Sequence, residues 1–388
     1  MQIGEPVAVV PAAAPPPDAE LEAELVSITF KSGIKVSHGR ATVEGPHWEK
    51  GEESVIEDLW TRLAGLFHLP VEPYSKRAAV YLIGGLGGPY DVDVRIRVTR
   101  SRNVSGEARL VGTFSGVSIE GTCPSSAGEH MVRARITNPP EELTACRVRI
   151  AWRLDVDAAG VSAGLGSTLA EVYFILGRPS PPYREGGVWV EVLRFLFGRV
   201  GVAGSSNRTA VIATIAAYCH GRHGLRYDTE HGKSFYGVGH TGGSFNLFRY
   251  LLRKRSACNC YDQAAAVQAL AGALGVQSMW LFLEPFGFIR PADLVGVGLC
   301  NNPFFDKHES SKLVDRYSEK RTAFGNHAFA VTYGAKTVDA CAKPHLATES
   351  VPEYLSDSID DARTLYHGGF RPGRPKDVRP HMGVLVVG

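Results

Sequence analysis

Residues 256–283 read SACNCYDQAAAVQALAGALGVQSMWLFL, a stretch that joins a cysteine-led, alanine-rich helix to an apolar strand. Apolar residues from Val267 onward recur at i, i+3 and i+7, which predicts a helix, and Gly275 is the typical residue to end it. The run that follows, 276–283, is short, mostly apolar and contains aromatic residues. It therefore predicts a buried strand.

Cys260 is placed at the start of this predicted helix, with Asp262 in its first turn. Free backbone NH groups and the positive end of the helix dipole favour a thiolate at a helix N-terminus. Cys260 is therefore a candidate nucleophile. The structural alternative is a buried, inert thiol, which is common for cysteine.

A base and a carboxylate are available downstream. Residues 326–333 read as a strand, Gly334 starts a turn, and 336–339 read as the returning strand. This hairpin carries His327 and Asp339 on neighbouring strands, in the order nucleophile, base and orienting carboxylate of a catalytic triad. Taken singly, His327 is better explained as a surface or core histidine, and Asp339 could simply cap a turn.

These local patterns resemble the transglutaminase-like superfamily, a branch of the papain-like cysteine enzymes. The resemblance covers roughly 188–343 and does not extend to the N-terminal half. The matching patterns are Cys-x-Asp-x-Ala at 260–264, His-Ala-aromatic at 327–329, apolar-Asp at 338–339 and an upstream apolar-x-Tyr at 225–227.

The resemblance implies a thiol acyl-transfer enzyme that acts on protein or peptide amides and needs no cofactor. Cys260, His327 and Asp339 would be its triad. Water would make it a cysteine protease or amidase, and an amine would make it a transglutaminase. Hydrolysis is placed first because relatives outside the animal transglutaminases are often proteases. A transglutaminase or deamidase effector and a non-catalytic binding protein on the same fold remain alternatives.

The backbone NH of Cys260 would be one hydrogen-bond donor to the oxyanion. Three residues are candidates for the second donor: Asn259, Asn326 and Tyr227. The segment 285–324 is rich in Gly, Pro and charge and reads as an insertion beside the site.

The N-terminal half reads differently. Short apolar-alternating segments separated by Gly, Pro, Ser and Asn predict an antiparallel sandwich or barrel. These segments are 25–31, 78–83, 91–98, 108–113, 117–121, 131–137, 147–154 and 169–176, and a helix is predicted among them at 53–67. In the C-terminal half, further helices are predicted at 188–197, 209–218 and 245–253, and a last strand at 383–387.

The sequence thus predicts an α+β protein in three parts. Residues 1–20 form a disordered Pro/Ala-rich tail, 21–180 an antiparallel β-sandwich-like module, and 181–388 a papain/transglutaminase-like domain with the insertion 285–324. Alternating arginines on two strands of the β module read either as solvated strand faces or as a surface for an acidic protein partner. These arginines are Arg95, Arg97, Arg147 and Arg149.

Composition narrows the class of protein. The 388 residues are 44% hydrophobic and 21% charged with a formal charge of +2, which gives no reason to expect nucleic acid or a membrane as partner. The sequence has no spanning apolar run and no signal-peptide pattern, so we expect a cytoplasmic protein or one exported without a Sec signal.

The cysteines and histidines do not predict a metal site. Seven cysteines without regular spacing argue against a disulfide framework and favour a reducing compartment. Cys258 and Cys260 have the spacing Cys-x-Cys, which differs from that of zinc and thioredoxin-like sites. The remaining cluster of Cys219, His220 and His223 is explained as a helix end.

Overall fold

The structure, a computed structural model, describes residues 18–38, 41–43, 47–51, 78–84, 90–183, 185–308, 310–361 and 371–388. Its fold is mixed, with more strand than helix. The described residues divide into two compact units: those of 1–35, 43–141 and 145–174 form the first, and those of 36–42, 142–144 and 175–388 form the second. The predicted helix 53–67 and most of the predicted tail lie outside the described residues.

The first unit is built on a nine-stranded sheet. Each of the eight strands predicted in this half overlaps a strand of the structure. The predicted antiparallel β-rich module is therefore present, whereas a two-sheet sandwich is not confirmed. In chain order, the strands are β1 Glu20–Lys31, β2 Val36–His38, β3 Ala41–Val43, β4 His47–Glu49, β5 Ala78–Leu82, β6 Asp91–Arg102, β7 Glu107–Phe114, β8 Val117–Pro124, β9 Gly128–Ile136, β10 Thr144–Val156 and β11 Val161–Ile175. The sheet has the order β4-β1-β6-β9-β8-β7-β10-β11-β5 and is antiparallel from β4 to β10. Strands β2 and β3 lie outside this sheet, and β2 belongs to the second unit.

Alternation of side chains explains the strands of this sheet. In β6, Val92, Val94 and Ile96 are fully buried, while the residues between them are partly or well exposed. Arg97, on the exposed face of β6, is paired with Glu24 at 2.7 Å and with Glu129 at 2.6 Å. Its charge is thus balanced within the strand face, which supports the solvated-face interpretation of that arginine.

Among the described residues, the α-helices and the remaining strands lie in the second unit. Its elements are β12 Val188–Trp189, α1 Val190–Phe195, α2 Arg208–Gly221, β13 Arg226–Tyr227, β14 Gly242–Phe245, α3 Leu247–Leu251, β15 Ala257–Cys258, α4 Cys260–Ala273, β16 Ser278–Leu283, β17 Phe288–Ile289, β18 Ala292–Leu294, β19 Gly298–Cys300, β20 His327–Thr332, β21 Lys336–Asp339, β22 His345–Ser350, α5 Val351–Ser358, β23 Ile359–Asp360, β24 Val378–His381 and β25 Gly383–Val387.

An antiparallel five-stranded sheet, β22-β21-β20-β16-β24, is the centre of this unit. Helix α4 packs on β20 and β16 and against α2. The helix is buried along its length, and it ends where Gly275 has a φ of +75°. A Cβ on Gly275 would lie 2.2 Å from the backbone of Gly177, so this close approach requires glycine.

One predicted helix, 188–197, is divided in the structure. Val188 and Trp189 pair in parallel with Val36 and Ser37, so the chain is extended there, and α1 begins only at Val190. A one-turn π-helix, Leu196–Val200, continues α1. In the part of the chain that the structure describes, no helix is both long and apolar enough to cross a membrane.

Candidate functional site

The N-terminus of α4 is fixed by a reciprocal cap. The Asn259 side chain accepts a hydrogen bond from the backbone NH of Asp262 at 3.1 Å, and the Asp262 carboxylate accepts one from the backbone NH of Asn259 at 3.1 Å. This capping box makes Cys260 the first helical residue, where backbone NH groups are free. Only 4% of Cys260 is exposed.

The Asp262 carboxylate also holds a neighbouring loop. It accepts hydrogen bonds from the Ser234 hydroxyl at 2.7 Å and from the backbone NH groups of Phe235 at 3.0 Å and Tyr236 at 3.2 Å. Burial raises the pKa of Asp262 to about 6, although these hydrogen bonds act in the opposite direction. Sequence analysis placed this residue in the first helical turn but missed its role as a loop anchor, because the loop is distant in sequence.

The β20–β21 hairpin brings His327 and Asp339 together. Ala330 pairs with Val338 across the ladder, and strand alternation then puts the side chains of His327 and Asp339 on one face. His327 Nε2 lies 2.8 Å from Asp339 Oδ2, with both side chains buried. The second oxygen, Oδ1, accepts from the backbone NH of Cys341 at 2.8 Å.

Electrostatics favours an ion pair at this contact. Burial alone would lower the pKa of His327, but the charges of Asp339 and Cys260 and the hydrogen bond to Asp339 raise it to about 10. Burial alone would raise the pKa of Asp339, but the His327 charge and hydrogen bond lower it overall. An imidazolium beside a carboxylate is therefore the favoured state at neutral pH.

The second ring nitrogen of His327, Nδ1, does not contact Asp339 and can exchange a proton. Nδ1 is buried and forms no hydrogen bond of standard geometry with the described residues. Cys260 is close enough that its charge contributes to the raised pKa of His327. With Nε2 committed to Asp339, Nδ1 is the nitrogen available to exchange a proton with a thiol, and such contacts are often loose before substrate binds.

The structure thus gathers all three sequence-predicted site residues, Cys260, His327 and Asp339, in one buried cluster. Their catalytic roles remain predictions. Sequence analysis missed Tyr354 of α5, whose hydroxyl donates to Asp339 Oδ2 at 3.0 Å. No local pattern marks that residue, since its partner lies on another element.

The three oxyanion nominees differ in what their polar groups contact. Asn259 uses its Oδ1 in the helix cap and donates from Nδ2 to the Gly232 carbonyl at 3.0 Å. Asn326 accepts from the Tyr261 hydroxyl through Oδ1 at 2.6 Å. Tyr227 is 3% exposed and carries a hydroxyl that can donate or accept a hydrogen bond.

Tyr227 lies beside the thiol. Burial, and then the charge of Cys260, raises its pKa well above the ordinary value, so the hydroxyl keeps its proton. Its ring contacts Phe304 and Phe324 at centroid distances of 6.2 and 5.6 Å. Tyr227 is thus a protonated donor close to Cys260.

Phenylalanines of the predicted insertion cover the site. Phe286 and Phe324, near its two ends, lie 5.1 and 5.7 Å from the His327 ring centroid. Phe304, midway, packs on Phe324 at 5.8 Å. Phe286 and Phe324 therefore line the site and help to exclude water from His327.

The residues considered for metal binding are occupied by other contacts. Cys258 Sγ accepts from Gln263 Nε2 at 3.4 Å, and His223 Nε2 donates to the carbonyl of Tyr250 at 2.9 Å. Both nitrogens of His220 also have partners, Ala340 O and Asp293 Oδ2, each at 3.2 Å.

A different group, His345, Glu349 and Asp357, brings three ligand-type atoms within 4.8 Å of one another. His345 Nδ1 is, however, 2.6 Å from Glu349 Oε1, and Asp357 is paired with Lys343. Hydrogen bonds and ion pairs among these side chains account for the group without an ion.

Comparisons with known proteins give little further information. No protein-family model and no curated protein matches the sequence. Among solved structures, a crystal structure of red sea bream transglutaminase matches with 12% identity and a TM-score of 0.40, over 69% of this chain and 49% of that chain. The chain thus spans about half of the length of that enzyme, and a TM-score this low carries no weight for fold or function.

Proposed function

We propose that this protein is a cysteine-dependent acyl-transfer enzyme that cleaves amide bonds of a protein or peptide. The observation that carries the proposal is the buried His327, which faces Asp339 through Nε2 and has the charge of Cys260 acting on it. A nucleophile, a base and an orienting carboxylate in this order form a triad by role.

The first half-reaction forms an acyl-enzyme. In the reacting state the proton shared by Cys260 and His327 is on His327 Nδ1, and the thiolate sulfur attacks the amide carbonyl carbon to form a C–S bond. The carbonyl oxygen becomes an oxyanion, which the backbone NH of Cys260 and the Tyr227 hydroxyl stabilise. When the carbonyl re-forms, the C–N bond breaks and the leaving amine receives the proton from His327. Asp339 stabilises the imidazolium throughout.

The second half-reaction decides the enzyme class. Water attack on the thioester, with His327 as base, gives a carboxylate and restores the thiol, which is protease or amidase chemistry. Attack by a lysine amine gives an isopeptide bond, which is transglutaminase chemistry. We place hydrolysis first by analogy with thiol proteases and keep the transglutaminase or deamidase effector as the alternative.

An iodoacetamide pulse tests the activated thiol. All seven cysteines are buried, so burial alone predicts slow and similar labelling. We expect wild-type protein at pH 7 to gain one fast adduct in intact-mass spectrometry. The adduct should disappear in Cys260→Ala, slow in His327→Ala and persist in the control Cys123→Ala, which removes a buried thiol of the first unit.

A peptide library, incubated with and without a primary amine, then separates hydrolysis from amine transfer by product mass. Equal, slow labelling of the wild type and all variants would contradict the activated thiol. The protein would then be better described as a binding protein on an enzyme-like fold.

A further inference from the structure

Behind the candidate triad, the sheet continues with a second histidine. In the β21–β22 ladder, Asp339 pairs directly with His345, so their side chains share one face of the sheet. Both are buried, with 3% of Asp339 and 1% of His345 exposed. Asp339 therefore lies between His327 on one neighbouring strand and His345 on the other.

His345 is held in place at both ring nitrogens. Nδ1 lies 2.6 Å from Oε1 of Glu349, four residues further along the chain, and Nε2 lies 3.3 Å from the Ser358 hydroxyl. The charge of His345 is one of the causes that lower the pKa of Asp339. The contacts with Glu349 and Ser358 thus hold the His345 imidazole behind the carboxylate.

Tyr354 completes this arrangement from α5. Its hydroxyl donates to the same Asp339 oxygen that meets His327, and its ring packs between Phe329 at 4.7 Å and His345 at 4.6 Å. Tyr354 is 1% exposed. The Ser350–Glu353 capping box fixes the start of α5 and so fixes where this hydroxyl is presented.

We propose that Tyr354 and His345 are positioning residues for Asp339: Tyr354 sets the orientation of the carboxylate by hydrogen bonding, and the His345 ring holds Tyr354 in place by packing against it. The inference rests on the proposed function, because it assigns roles within the same triad. Tyr354 cannot rotate away without leaving a buried hydroxyl and a buried carboxylate oxygen short of a hydrogen bond. The carboxylate is thereby aimed at His327 before substrate arrives.

The test is Tyr354→Phe, which removes one hydroxyl and keeps the ring packing. The variant loses a hydrogen bond to a charged group, which contributes more free energy than one between neutral groups. We therefore expect about a tenfold slower alkylation of Cys260 and a similar loss of kcat, with little change in KM. The matched control is Tyr333→Phe, at a tyrosine that is 81% exposed, and it should behave as wild type.

Imidazole NMR gives a readout that does not need turnover. In histidine-labelled full-length protein, we expect the His327 Nε2 proton resonance to shift and its titration midpoint to fall in Tyr354→Phe. In His345→Gln, which retains hydrogen-bonding capacity but removes the ring that packs on Tyr354, both should shift in the same direction as in Tyr354→Phe.

Unchanged alkylation and unchanged His327 resonances in Tyr354→Phe would overturn the proposal. Loss of thermal stability with native His327 resonances would also overturn it, because it would mean a packing role only. The proposed function and the positioning role of Tyr354 can fail independently. If wild-type Cys260 shows no fast alkylation, the proposed enzyme is wrong, and the NMR comparison still decides whether Tyr354 positions Asp339.

Discussion

Gly232 is the position at which a single methyl group should disturb the site. It has a φ of +65°, and a Cβ there would lie 2.8 Å from Phe304 Cε1 and 3.3 Å from the Tyr227 hydroxyl oxygen. Its carbonyl also accepts the hydrogen bond from Asn259 beside the helix cap. In Gly232→Ala, either the Phe304 ring or the loop must move, and Tyr227 moves with it.

The expected loss of stability has two parts. Placing an L-residue in the left-handed region costs roughly 1–2 kcal/mol. Overpacking against an aromatic ring adds about 1–3 kcal/mol, since the contact is well inside van der Waals distance. We therefore expect Gly232→Ala to lower the free energy of unfolding of the second unit by about 3 kcal/mol.

Urea unfolding followed by fluorescence measures this change, with Gly201→Ala as the control. Gly201 also has a positive φ, +83°, but no atom lies within 4 Å of the position that an added Cβ would take, so only the backbone part applies. We expect a loss of about 1 kcal/mol for that variant. The two alanine variants thus separate backbone strain from contact with Phe304.

A double-mutant cycle decides whether the contact is the cause. In Gly232→Ala/Phe304→Ala the ring is absent, so the two changes should be less costly together than summed, with a coupling of about 1–2 kcal/mol. Additivity within about 0.5 kcal/mol would refute the reasoning, because it would mean that the methyl group never meets the ring.

Two further predictions concern buried charges. Because the pKa of His327 is raised to about 10, its imidazolium should stabilise the fold fully below about pH 6.5, and this contribution should be lost as the pH rises through about 10. NMR should find the His327 ring protonated at about pH 8 in the wild type and less protonated in Asp339→Asn. Equal titration of His327 in both proteins would contradict this prediction. Arg321, fully buried, donates to Asp360 at 2.9 Å and to the Ile289 carbonyl at 2.6 Å, so Arg321→Met should destabilise by about 3 kcal/mol in urea unfolding. The half-exposed neighbour Arg316, which binds the same carboxylate, provides the control, and an equal loss in Arg316→Ala would contradict a special role for burial.

The local elements of the site could be read from sequence because each depends on near neighbours. Helix α4 starts at Cys260, since Asn259 and Asp262 cap each other three residues apart. Strand β21 has the predicted bounds, 336–339, because the turn and the alternation of side chains fix it locally. The pairing of His327 with Asp339 follows from the same hairpin.

The N-terminal strands were also predictable, but their arrangement was not. Alternation of buried and exposed side chains identified each strand, while the order of nine strands depends on contacts between residues far apart in sequence. The alternation of side chains specifies which face of each strand is buried, but it does not specify which strands pair with it. For that reason the sandwich remains a prediction, although the strands themselves are present.

The sequence by itself determined the nucleophile helix, the His–Asp hairpin and the β-rich first half, because capping and alternation act over a few residues. Only the tertiary structure decided that Tyr354 and His345 surround Asp339, that Asp262 anchors the loop 234–236, and that phenylalanines of 285–324 cover His327. Each of these contacts joins side chains from different elements. Burial makes such contacts strong, and no periodicity along the chain encodes which residues they join.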